Sequence, residues 1–118
     1  MAVTFDNEKI NNYFVLKLYG DMLSSPSNGS HIRVSVSKLI DNGGRHIVFD
    51  FSRLSSPSSD LVSIISDVFK KVEMDKGSVS VIYDPPSGND VFKTRGVYNY
   101  ARHYINLDVF KRECAITI

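Results

Sequence analysis

The chain has 118 residues, of which 42% are hydrophobic, enough for one core without staples, so a single domain over 1–118 is expected. Its 14 basic and 13 acidic residues leave a net charge of +1 with no long Lys/Arg run, which argues against nucleic acid as a partner. A lone cysteine, Cys114, excludes an intrachain disulfide or thiolate cluster and suits a reducing compartment. The opening residues lack a signal-peptide pattern and no apolar run reaches membrane length, so a soluble cytoplasmic protein without membrane contact is expected.

In chain order, the spacing predicts strands over 3–5 and 13–19, joined by a polar hairpin loop over 6–12. Ile32, Val36, Leu39 and Ile40 repeat at helical spacing, and Asn42, Gly43 and Gly44 supply a left-handed stop. Residues 45–52 read as a buried strand. Leu61, Ile64, Ile65, Val68, Phe69 and Val72 then mark the clearest amphipathic helix in the chain. A strand follows over 78–83, a Pro-rich turn from Asp84, a short helix over 90–95 and a short strand at 104–105. Helical turns over 107–115 and an extended tail over 116–118 close the chain. A hairpin followed by strand–helix–strand units predicts an α/β fold: a mixed sheet, parallel at its centre, with about four helices.

Between the central strand and the amphipathic helix, the turn over 52–60 holds Ser52, Ser55, Ser56, Ser58 and Ser59. Hydroxyls delivered to the first turn of a helix stand beside unpaired N–H groups and the positive end of the helix dipole, a place to hold or receive a phosphate. Ser58 or Ser59 also suits the helix cap. The run Leu23-Ser-Ser-Pro-Ser recurs from Leu54 to Ser58, each copy after a strand and before a helix, so the two copies should be neighbours at one sheet edge.

This order, with its residues, resembles the STAS domain, the family of anti-sigma factor antagonists and of the cytoplasmic domains of sulfate transporters. The resemblance spans Tyr13 to Ala115. It rests on Val15 to Asp21 with its Gly-Asp ending, on Gly43 to Ser52 as a helix stop and a strand ending in Asp50-Phe51-Ser52, and on Gly96-Val97. The family's diagnostic Asp-Ser-Ser-Gly falls here on Ser58, Ser59, Asp60 and Leu61: Ser58 stands for the acid, Asp60 for the second serine and Leu61 for the glycine, while Leu23 replaces an aspartate.

The resemblance implies a partner-switching regulator that binds an anti-sigma factor or serine kinase and answers to a serine phosphatase. Ser59 becomes the phosphoacceptor, with Ser58 and Ser56 as alternatives. The implied partner surface is Leu23, Ser24, Ser25, Ser55, Ser56, Pro57, Ser58, Ser59, Asp60 and Ser63. The alternative is an unphosphorylated module that binds a nucleotide or other anion, or serves as a subunit of a larger complex.

For catalysis the sequence offers little. His31, His46 and His103 lack ligand spacing, and His46 at a strand start suits a surface or edge position. Asp21, Asp50 and Asp84 fall at strand ends, where three acids can hold Mg²⁺, but Asp50 is more simply the strand-ending aspartate of the resemblance. No enzyme, metal or cofactor is expected. Tyr98, Tyr100 and Tyr104 suit sheet packing or an exposed aromatic patch.

Overall fold

The computed structural model describes residues 3–115. The predicted tail over 116–118 lies outside them. Five strands form one sheet in the order β1-β2-β3-β4-β5: β1 (Thr4–Ile10), β2 (Tyr13–Asp21), β3 (His46–Ser55), β4 (Ser78–Ile82) and β5 (Arg102–Tyr104). β1 pairs antiparallel with β2, and every later pairing is parallel. The helices are α1 (Asn28–Asp41), α2 (Ser59–Glu73), α3 (Val91–Thr94) and α4 (Leu107–Phe110), the last continuing into a π-turn over Lys111–Ala115. The mixed α/β architecture expected from the sequence is therefore the one observed.

Side-chain alternation along the strands separates two cores. Leu16, Leu18, Phe49, Phe51, Val79 and Val81 point to one face. There they meet Ile32, Val36 and Leu39 of α1 and Leu61, Ile64, Ile65, Val68 and Val72 of α2. Each such side chain removed from water stabilises the fold by about 1.5–3 kcal/mol. Phe49, Phe51 and Phe92 of α3 form a stacked row, with ring centroids 5.7 and 5.1 Å apart. The other face is smaller: Val15, Val48 and Ile82 meet Tyr104 and Phe110 of α4.

Three departures from the expected boundaries have a clear physical reason. The loop over 6–12 is mostly strand: β1 runs to Ile10, and Asn11 and Asn12 alone make the turn, with Asn11 at φ 52°. An edge strand accepts polar residues on both faces. Glu8 uses its position to take the Lys17 ammonium at 2.7 Å, which holds the Glu8 carboxyl below and the Lys17 amine above their usual ranges. β3 passes the predicted end at Ser52 and continues to Ser55, because β2 still offers partners as far as Asp21 and Leu54 still reaches the core. The last strand is Arg102–Tyr104, and Ile105 is exposed.

His46 is not at an edge. It begins the central strand, half-buried, with its ring Nδ1 2.9 Å from the Ser78 hydroxyl. The three tyrosines do not form a patch. Tyr98 stacks on His103 at 4.2 Å and donates to Asp90 Oδ2 at 2.8 Å, Tyr100 packs on Phe69, and Tyr104 lies in the smaller core with its hydroxyl 2.6 Å from Cys114 Sγ. No helix among the described residues is long and apolar enough to cross a membrane.

Burial, then the Asp90 hydrogen bond, pushes the Tyr98 phenol far above its ordinary value, and burial with the Cys114 contact pushes Tyr104 up to about 12. Raised phenol values mean that the folded chain keeps protons that the unfolded chain releases near pH 10, since unperturbed tyrosine titrates at about 10. Their contribution is complete below about pH 10 and is lost as the pH climbs towards the folded values. Urea unfolding at stepped alkaline pH should show this decline, and Tyr98→Phe should flatten it.

Candidate functional site

The site grows from the ends of β2 and β3. Their parallel register sets Gly20 opposite Leu54 and Asp21 opposite Ser55, so both chains leave the sheet side by side and both turn into helices. After Ser55 the chain needs only Ser56, Pro57 and Ser58 to reach α2. Ser56 takes φ 54°, a left-handed conformation that a serine holds at a cost of order 1 kcal/mol. Ser58 is extended at the N-cap, but its hydroxyl makes no cap hydrogen bond. The capping role expected of Ser58 is therefore absent. Ser59 opens the helix, and Asp60 puts a carboxylate in its first turn, where the dipole favours it.

The first copy of the repeated run is held more tightly. Asp21 accepts the Leu23 N–H at 2.9 Å, and the Ser25 and Ser27 hydroxyls are 2.9 Å apart. Beneath them Asn28, fully buried, is shared by three segments. Its amide nitrogen donates to the Asp21 and Met22 carbonyls at 3.2 and 3.1 Å, and its Oδ1 accepts the Val3 N–H at 3.0 Å. Ser27 stands at the N-cap of α1, again without a side-chain cap bond.

As expected, the two copies are neighbours. They enclose a cleft of 300 Å³ lined by Leu23, Ser25, Pro26, Ser58, Ser59 and Asp60, among others. The repeat is only skin-deep: Leu54 is 7% exposed and belongs to the core, whereas Leu23 is 74% exposed. Ser59, Asp60, Ser55 and Ser56 are exposed and Ser58 is half-buried. Ser63 is exposed one helical turn beyond Ser59. Pro57 turns towards an adjoining groove beside Tyr83 and Asp90, and Ser24 is exposed with its hydroxyl 3.3 Å from the Asn28 amide.

Ser52 does not belong to this turn. It lies within β3, where its N–H and hydroxyl both go to Asp50 Oδ1, at 3.0 and 2.6 Å. The aspartates stay apart in function too: Asp21 holds Leu23, Asp50 holds Ser52, and among the described residues no three acid, His or Cys side chains gather to hold a metal ion. From the sequence, Asn28 reads only as part of the lead into α1, with no role of its own. Its only signal was an amide residue next to a glycine at a helix start, which reads equally as an ordinary turn.

No protein-family model matches the chain. Its architecture is similar to that of the anti-sigma factor antagonist SpoIIAA in its unphosphorylated form, at TM-score 0.73 and 19% identity, covering 98% of this chain and 100% of that one. It is similar to the Bacillus cell fate determinant SpoIIAA in the phosphorylated form, at TM-score 0.68 and 22% identity over 92% and 98% of the two chains. An anti-sigma factor antagonist from Mycobacterium paratuberculosis superposes at TM-score 0.78, with 16% identity over 91% and 89%. The fold is the STAS fold. The cleft between the two serine loops is lined by Ser58, Ser59 and Asp60, three of the four residues on which the Asp-Ser-Ser-Gly pattern falls.

Two substitutions separate scaffold from surface. Leu54→Ala should cost about 3 kcal/mol in urea unfolding, and Leu23→Ala at the matching position less than about 0.5 kcal/mol. Asn28→Ala, which strands an N–H and two carbonyls, should cost about 3 kcal/mol.

Proposed function

We propose that this chain is a non-catalytic, cytoplasmic partner-switching regulator of the anti-sigma factor antagonist kind. Its partner is an anti-sigma factor or serine kinase, docked on the two serine loops and the exposed side of α2, and its switch is a phosphate on Ser59. A serine phosphatase would reset it. The observation that carries this reading is the placement of Ser59: exposed, at the first position of a 15-residue helix, beside a cleft built from the matching loop. The likeness to antagonists known in unphosphorylated and phosphorylated forms adds support at the level of the fold.

The physics of the switch needs no refolding. A phosphate brings close to two negative charges and is tolerated by a helix N-terminus. An interface formed against the bare hydroxyl is not built for it, so affinity falls. Ser56 and Ser58 remain the alternative acceptors.

One feature favours the second reading, a module that binds a nucleotide or other anion without being modified. Both helix N-termini beside the cleft lack a side-chain cap, leaving backbone N–H groups for an incoming anion.

Incubation with the serine kinase of the cognate partner pair and ATP should add the mass of one phosphate, lost in Ser59→Ala and kept in Ser63→Ala. The phosphorylated form should bind the partner at least about tenfold more weakly, a change of about 1.4 kcal/mol. An unmodified protein whose melting temperature rises with ATP or GTP, equally in Ser59→Ala, would replace this reading with the second.

A further inference from the structure

We propose that the sheet face carrying α4 holds a second site, independent of the serine loops, which takes a small organic ammonium on Asp50. The smaller core fills only part of that face. Beyond Val15 and Val48 the face opens into a cleft of 410 Å³ lined by Lys17, Tyr19, Asp50, Ser52, Arg53 and Asp108, among others.

Asp50 is the unusual group there. It is 6% exposed, yet it forms no ion pair among the described residues. Lys17, its register neighbour on β2, gives its ammonium to Glu8 instead, at 2.7 Å. A carboxylate so far removed from water is normally paired or fully hydrogen-bonded. Here only one oxygen is: Oδ1 takes both the N–H and the hydroxyl of Ser52. Oδ2 has no hydrogen-bond partner among the described residues, and since no buried side-chain oxygen among them lacks one, Oδ2 must open onto the cleft that Asp50 lines.

The backbone is shaped around this group. Lys17 pairs with Asp50 and Tyr19 with Arg53, so Phe51 and Ser52 on β3 face the single residue Leu18 on β2. Ordinary alternation puts Phe51 in the main core and Ser52 on the face of Asp50, and the bulge then shifts the phase, so that Arg53 joins them at the cleft and Leu54 returns to the core. Bulges re-aim side chains in this way next to binding sites. The free oxygen is an acceptor, open to any donor that displaces water from the cleft. Of the two cations that line the cleft, Lys17 is spent on Glu8 and Arg53 alone is set against Asp50 and Asp108, so the lining keeps a negative excess and a donor bearing positive charge fits better than a neutral hydroxyl.

Ethanolamine and choline make the test, because they share a positive charge and a hydroxyl but only ethanolamine has ammonium N–H groups. In amide NMR spectra of the full chain, millimolar ethanolamine should shift Tyr19, Ser52, Arg53 and Asp108 in a saturable manner, a strength suited to so small a ligand. Choline should not, and the shifts should vanish in Asp50→Asn, which keeps an acceptor for Ser52, while surviving in Ser59→Ala. If Asp50→Asn fails to fold, Asp108→Asn should weaken the response instead. No shift with ethanolamine, an equal response to choline, or a response unchanged in the variants would overturn the proposal. None of these outcomes bears on phosphorylation at Ser59.

Discussion

The parallel pairing of β2 with β3 is the constraint on which the molecule depends. Parallel neighbours cannot be joined by a tight turn, so the chain must leave the end of β2 and return by α1 to the start of β3. The same demand sends it from β3 through α2 to β4. Both departures occur at one edge, and the register that sets Asp21 opposite Ser55 makes the two loops adjacent. The cleft between them is thus a product of sheet topology, and the serines decorate a place the backbone had already made. Asn28 secures it. A buried amide that binds the carbonyls of Asp21 and Met22 and the N–H of Val3 ties the loop after β2 to the start of β1, so the cleft wall does not rely on surface contacts.

The two faces of the sheet are closed unequally. α1 and α2 lie on one, where their apolar stripes and the strands beneath them build the larger core. The other has the short α4 and its π-turn, enough to cover Val15, Val48, Ile82 and Tyr104 but not the polar ends of β2 and β3. Lys17, Asp50 and Ser52 therefore line an open cleft instead of a packed layer. A chain that alternates apolar and polar residues on a strand this central leaves room on the polar side, and Lys17 and Asp50 spend it differently: one is neutralised by Glu8 at the edge, the other is left with a free oxygen.

Much of this was legible in the residues. The spacing from Leu61 to Val72 is so regular that only one helix face can be buried, and the order of elements left few topologies open. What was hidden has a common cause. β1 beyond Phe5 is polar because an edge strand has water on one side, and local pattern cannot distinguish that from a loop. β3 beyond Ser52 is strand because β2 is there to pair with it, a non-local fact. Ser52 was grouped with the turn serines by proximity in sequence, although as a strand residue it shares a face with Asp50 and bonds to it. Leu23 and Leu54 look alike in their pentapeptides, and burial alone separates them. Patterns within an element survive translation into sequence; partnerships between elements do not.

The departures from the Asp-Ser-Ser-Gly pattern acquire a meaning from the geometry. No lysine or arginine is among the residues that line the cleft beside Ser59, while Asp60 contributes a carboxylate to it. A phosphate on Ser59 would thus find no cation within the cleft to fold back upon. Its compensation would come from the backbone N–H groups of the first turn, roughly half a unit charge, against nearly two units added. Most of the new charge would face outward and be met by whatever docks there. A loop with basic residues would neutralise the phosphate internally and shift its own conformation. With the phosphate proposed on Ser59, this loop would keep its conformation and change only the electrostatic character of its surface, which suits a switch read by a partner rather than by the fold.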